Sequence, residues 1–487
     1  MNSYAKKYFL IGGAKLLRAP LFMLLISLLS NLIGPAGIGK WSMVIAVSTF
    51  FHSILLSWTQ APFVRFGCDE WQETARLSKT WAARYPLILF GFFFALLILI
   101  AQPFLFFEKL FLLPSSWWPL VFIYLIALWF LDESQSLFKI KENFKLLSIL
   151  PLFSDLIIIL FLLFLFYVSF NLSILEVIAA IIALFTLFWG TIWAKEISNS
   201  RCRGEKSTRE GISKIINFGW PMVPTYALGF LSDWGDHFLL QRFHGDQQVG
   251  FFHAGYQVSV AMTAFASPFA VIFLPRLLER KKLNENAELD YLNKTVPTVI
   301  ILWFIAIIPC MAFVPWIFGV IFGQKFLGAQ QAFYVLCTTI PGAVFTSLYS
   351  VLFNAQGRLG RTGIFISLMV VLNLSISFLL IPKLGSLGAA IGTATSFFLV
   401  QGLYVFDQHN FLNTSSSKPI ALFFIAWLFS AIQLIMGGQI FFRFLVALIA
   451  IGVVTFIAKR WQIFDEERIA TLLPRQLLWV WKLFFKN

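Results

Sequence analysis

Charge is scarce in this chain. Asp, Glu, Lys and Arg make up 12% of its 487 residues, while 59% are hydrophobic. A water-soluble protein of this length could not bury so much apolar surface. Cysteine is nearly missing. The four residues, Cys68, Cys202, Cys310 and Cys337, show no paired spacing, so a disulfide framework is excluded. Strict apolar–polar alternation is also missing, which excludes a closed transmembrane barrel. No connection between apolar runs is long enough for a soluble catalytic domain. No A-x-A-like cleavage site ends the first run, which therefore reads as a retained helix.

What the chain does have is apolar segments of about twenty residues, recurring from end to end. Each can cross a hydrocarbon core of about 30 Å. The expected fold is all-α and polytopic, with about fourteen spans. They fall at roughly 8–33, 41–62, 82–104, 117–138, 148–169, 172–194, 215–240, 250–275, 292–318, 330–353, 362–381, 387–406, 420–437 and 441–459. Alternate connections are basic, among them "RFGCDEWQETARLSKTWAAR", "KEISNSRCRGEKSTREGISK" and "RLLERKKLNEN". The others carry at most one basic residue each: Lys40, Lys109, Arg242, Lys325, Lys383 or Arg443. This asymmetry places both termini in the cytoplasm and accounts for the net charge of +14 without nucleic acid as a partner. Residues 461–487 read as a cytoplasmic amphipathic tail on anionic lipid.

"NLIGPAGIGKW" contains most of a phosphate-cradling loop, G-x-x-x-x-G-K-[ST]. The last position is Trp41, which cannot hold magnesium, and no strand precedes the loop. A shift of the chain against itself by 211 residues explains the glycines better. "LLSNLIGPAGIGKWSMVIAV" then lies over "LLQRFHGDQQVGFFHAGYQV", with Gly34 on Gly245 and Gly39 on Gly250. The shift equals six helices, an even number, so the two halves run parallel. The expected organisation is a six-helix lobe over 1–200, its repeat over 201–410, and helices 13–14 over 411–460. In each copy the first glycine would end a helix in a left-handed conformation, and the second would permit close packing.

Charges inside spans are the candidate site residues. Lys15 and Arg18 share one face of helix 1 and would bind a phosphate, Arg18 bidentately. In helix 7, Pro221 and Pro224 predict a hinge. Asp233, Asp236 and His237 share a face there as a cation or proton site, with His237 also a substrate contact. His52 reads as a cavity donor or a packing residue. Asp155, after Pro151, reads as a helix N-cap or a coupling carboxylate. Asp132 and Glu133 are expected to be solvated at the end of helix 4.

Several stretches carry a family resemblance. "GPAGIGKW" resembles the G-P-x-x-[FY]-G-x-[YW] hairpin of polysaccharide transporters. "SDWGDHFLLQRFHGDQQVGFFHAGYQVS" is similar to their D-[RK]-x-x-[IL]-x-x-x-x-G stretch, with Asp236 on the Asp and His237 where a basic residue follows. "LYSVLFNAQGRLGRT" and "LNLSISFLLIPKLGSLGAAIGTATSFFL" resemble two later motifs. The chain is identified as a member of the polysaccharide transporters of the multidrug/oligosaccharidyl-lipid/polysaccharide exporter superfamily. That resemblance implies a non-enzymatic flippase for an undecaprenyl-pyrophosphate-linked oligosaccharide in a bacterial inner membrane. It implies alternating access through a cationic cavity, no cofactor, and coupling to sodium or protons as an open question. Membrane lipids and polysaccharide-assembly proteins are the implied partners. Helices 13 and 14 would line the lipid-tail groove, as similarity to lipid II flippases implies. The alternatives are a cation-coupled drug antiporter of the same superfamily, a polysaccharide polymerase or ligase, and a non-catalytic assembly partner.

Overall fold

The computed structural model describes residues 3–101, 111–168, 172–200, 208–414 and 417–463. Among these residues every regular element is helical. Among the described residues, ten helices are long and apolar enough to cross a membrane, from Leu17–Leu55 to Ile440–Arg460. Rows of large apolar side chains remain exposed, including Leu89, Phe90, Phe93, Phe94 and Leu97 on one helix. In water such rows would be a liability; against lipid tails they need no cover. This is a multi-pass membrane protein.

Packing divides the chain into two compact units, residues 1–257 with 374–389, and 258–373 with 390–487. Residues 201–257 thus group with the first unit. In that unit, α1 (Ser3–Leu55) is two helices joined at Gly34, whose φ of 69° and ψ of −178° break the helical path. The chain then passes through a tight turn at Ser57–Thr59 into α2 (Gln60–Thr74) and α3 (Ser78–Ala101). Helix therefore extends well into the stretch expected to be a cytoplasmic loop. The reason is local: the Ser57 and Thr59 hydroxyls donate to the carbonyls of His52 and Leu56, which closes the turn and lets α2 start at once. α4 (Trp118–Ile140), α5 (Phe144–Val168) and α6 (Ile174–Asn199) follow, the last opened by a capping box between Ser173 and Glu176.

The expected seventh span is interrupted where its prolines predict. α7 (Arg209–Gly219) stops, Trp220–Met222 forms a tighter turn, and α8 (Val223–His244) begins. Gly245 ends α8 at φ 76° and ψ −171°, nearly the conformation of Gly34, 211 residues earlier. α9 (Asp246–Thr263) follows.

The two glycine turns meet each other. A Cβ on Gly39 would collide with the backbone carbonyl of Asp246, and a Cβ on Gly250 would collide with that of Pro35. Pro35 and Asp246 are themselves related by the 211-residue shift. The contact is therefore reciprocal: each copy's second glycine sits on the residue after the other copy's first glycine. Only glycine permits backbones this close. The second unit contains α10 (Ser267–Lys281), a helical turn at Ala287–Asp290, a π-helical turn at Tyr291–Thr295, and α11 (Val296–Ala312). Later helices include Ala343–Ala355, Lys418–Ile435 and Ile440–Arg460.

Candidate functional site

Arg18 lies sixteen residues before Gly34 on α1, about 24 Å below that turn at 1.5 Å per residue. It does not stand alone. Its Nε is 2.6 Å from Asp155 Oδ2 and its Nη2 is 3.3 Å from Oδ1. The Asp155 side chain is 6% exposed and that of Arg18 is 45% exposed. Asp155 is therefore not an N-cap. It sits well inside α5, which runs through Pro151 without ending there. The Lys15 side chain lies outside the described residues.

His52 is buried near the lower end of the second half of α1. Its Nδ1 is 3.0 Å from Ser57 Oγ, and its Nε2 is 3.4 Å from Asp132 Oδ2. Asp132 also accepts a 2.8 Å hydrogen bond from Gln60 Nε2. Beside it, Glu133 forms a fully buried ion pair with Arg84 at 2.5 Å. Arg84 donates again to Thr59 Oγ1 at 2.9 Å and lies over the Phe63 ring. The expectation that Glu133 is solvated is thus wrong, whereas Asp132 keeps a third of its side chain exposed. α4 continues to Ile140, so both carboxylates fall within the helix rather than at its end.

Gln60 also lines a pocket of about 550 Å³ with Arg65, Cys68, Ser136, Lys139 and Tyr226. Two cations, an amide, two hydroxyls and a thiol face this space, and no carboxylate is among its lining residues. Burial and the neighbouring Asp69 and Glu142 charges push the Cys68 thiol pKa up, with Arg65 opposing. This cationic pocket, with the polar groups behind it, is the candidate site.

A second cluster lies on α8 and α9. His237 Nε2 is 2.9 Å from His253 Nδ1, and both rings are buried. Trp234 packs on both histidines, and the ring of Phe252 packs on His237. Asp233 Oδ1 is 3.5 Å from the Tyr256 hydroxyl, and Asp236 is buried nearby on the same helix. His237 therefore has a histidine and aromatic rings as neighbours, and Arg18 has Asp155. The structure gives these two expected substrate contacts separate surroundings.

A sequence profile for the family described as polysaccharide biosynthesis protein matches residues 4–280. The chain belongs to that family. The chain is 24% identical over 260 residues to a probable low-salt glycan biosynthesis flippase of Haloferax volcanii, covering 53% of this chain and 52% of that one. It is 26% identical over 268 residues to an uncharacterized membrane protein of Methanocaldococcus jannaschii, covering 51% and 50%. The chain spans about half the length of the curated relatives it matches. Its fold is that of a lipid II flippase in an inward closed conformation, with a TM-score of 0.67, 15% identity, and coverage of 95% of this chain and 99% of the other. A second solved structure with this fold is an inward-facing multidrug resistance transporter of the MATE family, itself of the MOP superfamily, at a TM-score of 0.58 and 16% identity over 82% of this chain and 96% of that one.

Sequence reasoning missed His253 and Arg84 and misplaced Glu133. His253 carried a usable signal: it lies eight residues after Gly245 and His237 eight before, so a hairpin turned at Gly245 must set them side by side. Arg84 and Glu133 carried none. Each sits at the charged edge of an apolar run, where topology alone explains a charge.

Proposed function

We propose that the protein is a flippase for a polyanionic, lipid-linked oligosaccharide: an undecaprenyl-pyrophosphate glycan carried from the cytoplasmic to the periplasmic leaflet of a bacterial inner membrane. One observation carries the reading. Asp155 and Glu133 each hold an arginine, Asp132 holds Gln60 and faces His52, and the adjoining pocket presents Arg65 and Lys139 without a carboxylate. An organic cation would find these acids occupied. A pyrophosphate would find cations, and hydroxyls and an amide suit sugar. The glycan-flippase name of the Haloferax relative supports the same substrate class.

The step needs no covalent chemistry, so the protein acts as a transporter rather than an enzyme. A pyrophosphate leaving water must have its charge compensated. Arg18 is already paired, half-exposed and bidentate-capable, so an arriving phosphate oxygen can take the place of Asp155. The lipid tail stays in the bilayer while the headgroup crosses between two bundles that rock in alternating access. Asp233 and Asp236, beside the paired histidines, would couple the movement to sodium or protons.

Those same two aspartates favour the rival reading, an organic-cation antiporter. Cells lacking a polysaccharide flippase decide between them. Restored surface polysaccharide in a strain expressing this chain, lost on Arg18→Ala at equal protein level, supports the glycan reading. Dye efflux without restored polysaccharide would replace it by the antiporter.

A further inference from the structure

α10 and the first turns after it build a second basic pocket, wholly within the second unit. Its cavity measures about 90 Å³. Arg276 and Arg280 line it from α10, four residues apart and so on one helix face. Tyr291, Lys294 and Thr295 line it from the π-helical turn, and Asp290 from the helical turn before it. Lys294 pairs with Asp290 at 2.5 Å, while neither arginine has an ion-pair partner among the described residues. The lining carries three cations against one carboxylate.

The backbone departs from α-helical winding at the point where it supplies two of the lining side chains. Single π-helical turns of this kind recur at functional sites. Here the wider turn carries the Lys294 and Thr295 side chains that line the cavity opposite the two arginines.

Size limits the occupant. On the measure by which one water needs about 10–15 Å³, a cavity of about 90 Å³ has room for a small polar group. It admits the phosphate group of a phosphodiester, with Arg276, Arg280 and Lys294 exposed around its mouth. Position limits it further. The pocket lies at the start of the candidate span Ala287–Ala312, beside the basic stretch "RLLERKKLNEN" expected at the cytoplasmic face. Basic pockets between helices on that side meet anionic lipid. We propose that Arg276, Arg280 and Lys294 hold the phosphodiester headgroup of an anionic lipid of the inner leaflet. The site is independent of the transport reading and would survive its failure.

The test uses native mass spectrometry of the full-length protein purified in detergent, offered phosphatidylglycerol, phosphatidylcholine or inorganic phosphate. Phosphatidylglycerol should remain bound where phosphatidylcholine does not, and millimolar phosphate should not displace it. The Arg276→Gln/Arg280→Gln variant should bind roughly thirtyfold more weakly, at about fivefold per basic residue. Arg276→Lys/Arg280→Lys should stay within a few-fold of the unaltered protein, which separates lost charge from lost structure. Equal retention of both lipids by the unaltered protein overturns the proposal, whatever the variants do. So does undiminished binding by a folded glutamine variant. Displacement by free phosphate would make this a phosphate site and overturn the lipid assignment.

Discussion

At the scale of single residues, pairing decides what a charge can do. Arg18 is exposed enough to reach a ligand and is held ready by a buried carboxylate. Charge-assisted hydrogen bonds are each worth about 1.5–3 kcal/mol, so Arg18→Ala should weaken headgroup capture roughly tenfold to a hundredfold. Arg18→Lys should recover part, because the two-pronged geometry is lost. Asp155→Asn should do the opposite and tighten capture, since the competing internal carboxylate is gone. Binding of a labelled lipid pyrophosphate to purified protein measures all three. Unchanged binding in both Arg18→Ala and Asp155→Asn would remove this pair from the mechanism. Arg84 and Glu133 behave differently, for both are fully buried. Removing one partner leaves an uncompensated buried charge, at about 3–5 kcal/mol. Arg84→Met alone should therefore lower the melting temperature in detergent sharply. Arg84→Met with Glu133→Leu should recover most of the loss, because a packed apolar pair has no charge to desolvate. If the double variant is no more stable than the single one, the pair is not an isolated electrostatic unit.

At the scale of elements, the two glycine turns show what a sequence reveals and what it withholds. Gly34 and Gly245 were legible because a left-handed residue at a helix end leaves few choices, and Gly39 and Gly250 because a repeat preserves spacing. The prolines around Trp220 were legible for the same reason: each removes a backbone donor. The ion pairs were not, since nothing in a linear string says that Asp155 faces Arg18 across 137 positions. Nor was the helix that runs from Gln60 to Thr74 through the loop expected after residue 62, whose start depends on hydroxyl-to-carbonyl bonds within one turn. The glycine geometry makes a graded prediction. Gly39→Ala and Gly250→Ala place a methyl against a backbone carbonyl and force the two turns apart. Gly245→Ala meets open space and carries only the strain of its φ 76°, ψ −171° conformation, on the order of 1–3 kcal/mol. Transport and melting temperature should fall much further in the first two variants than in the third. Lys40→Ala should change little. Lys40 sits 3.9 Å from Asp246 with its side chain a third exposed, and pairs of that kind contribute about 0–1 kcal/mol.

At the scale of the whole molecule, the distribution of basic residues and the two turns make one claim about orientation. Gly34 and Gly245 belong at the outer surface, and Arg65, Cys68 and Lys139 at the inner one. If so, the cationic pocket faces the side where lipid-linked glycans are assembled, and transport has the direction proposed. Cys68 lines that pocket and serves as its reporter. In cells expressing a variant with Cys202 and Cys310 replaced by serine, a membrane-impermeant maleimide should label Gln247→Cys from outside and leave Cys68 untouched. Permeabilised cells should expose Cys68. The pKa of that thiol is raised, so its reactive thiolate is scarcer than usual at neutral pH. Its labelling should therefore speed up as pH rises, whereas an unperturbed cysteine levels off earlier. Added lipid pyrophosphate should slow the labelling of Cys68 and not that of Gln247→Cys. Labelling of Cys68 in sealed cells would invert the topology, and with it the direction of transport. Labelling from inside that no lipid pyrophosphate slows would leave the orientation standing and move the headgroup site away from Arg65 and Lys139.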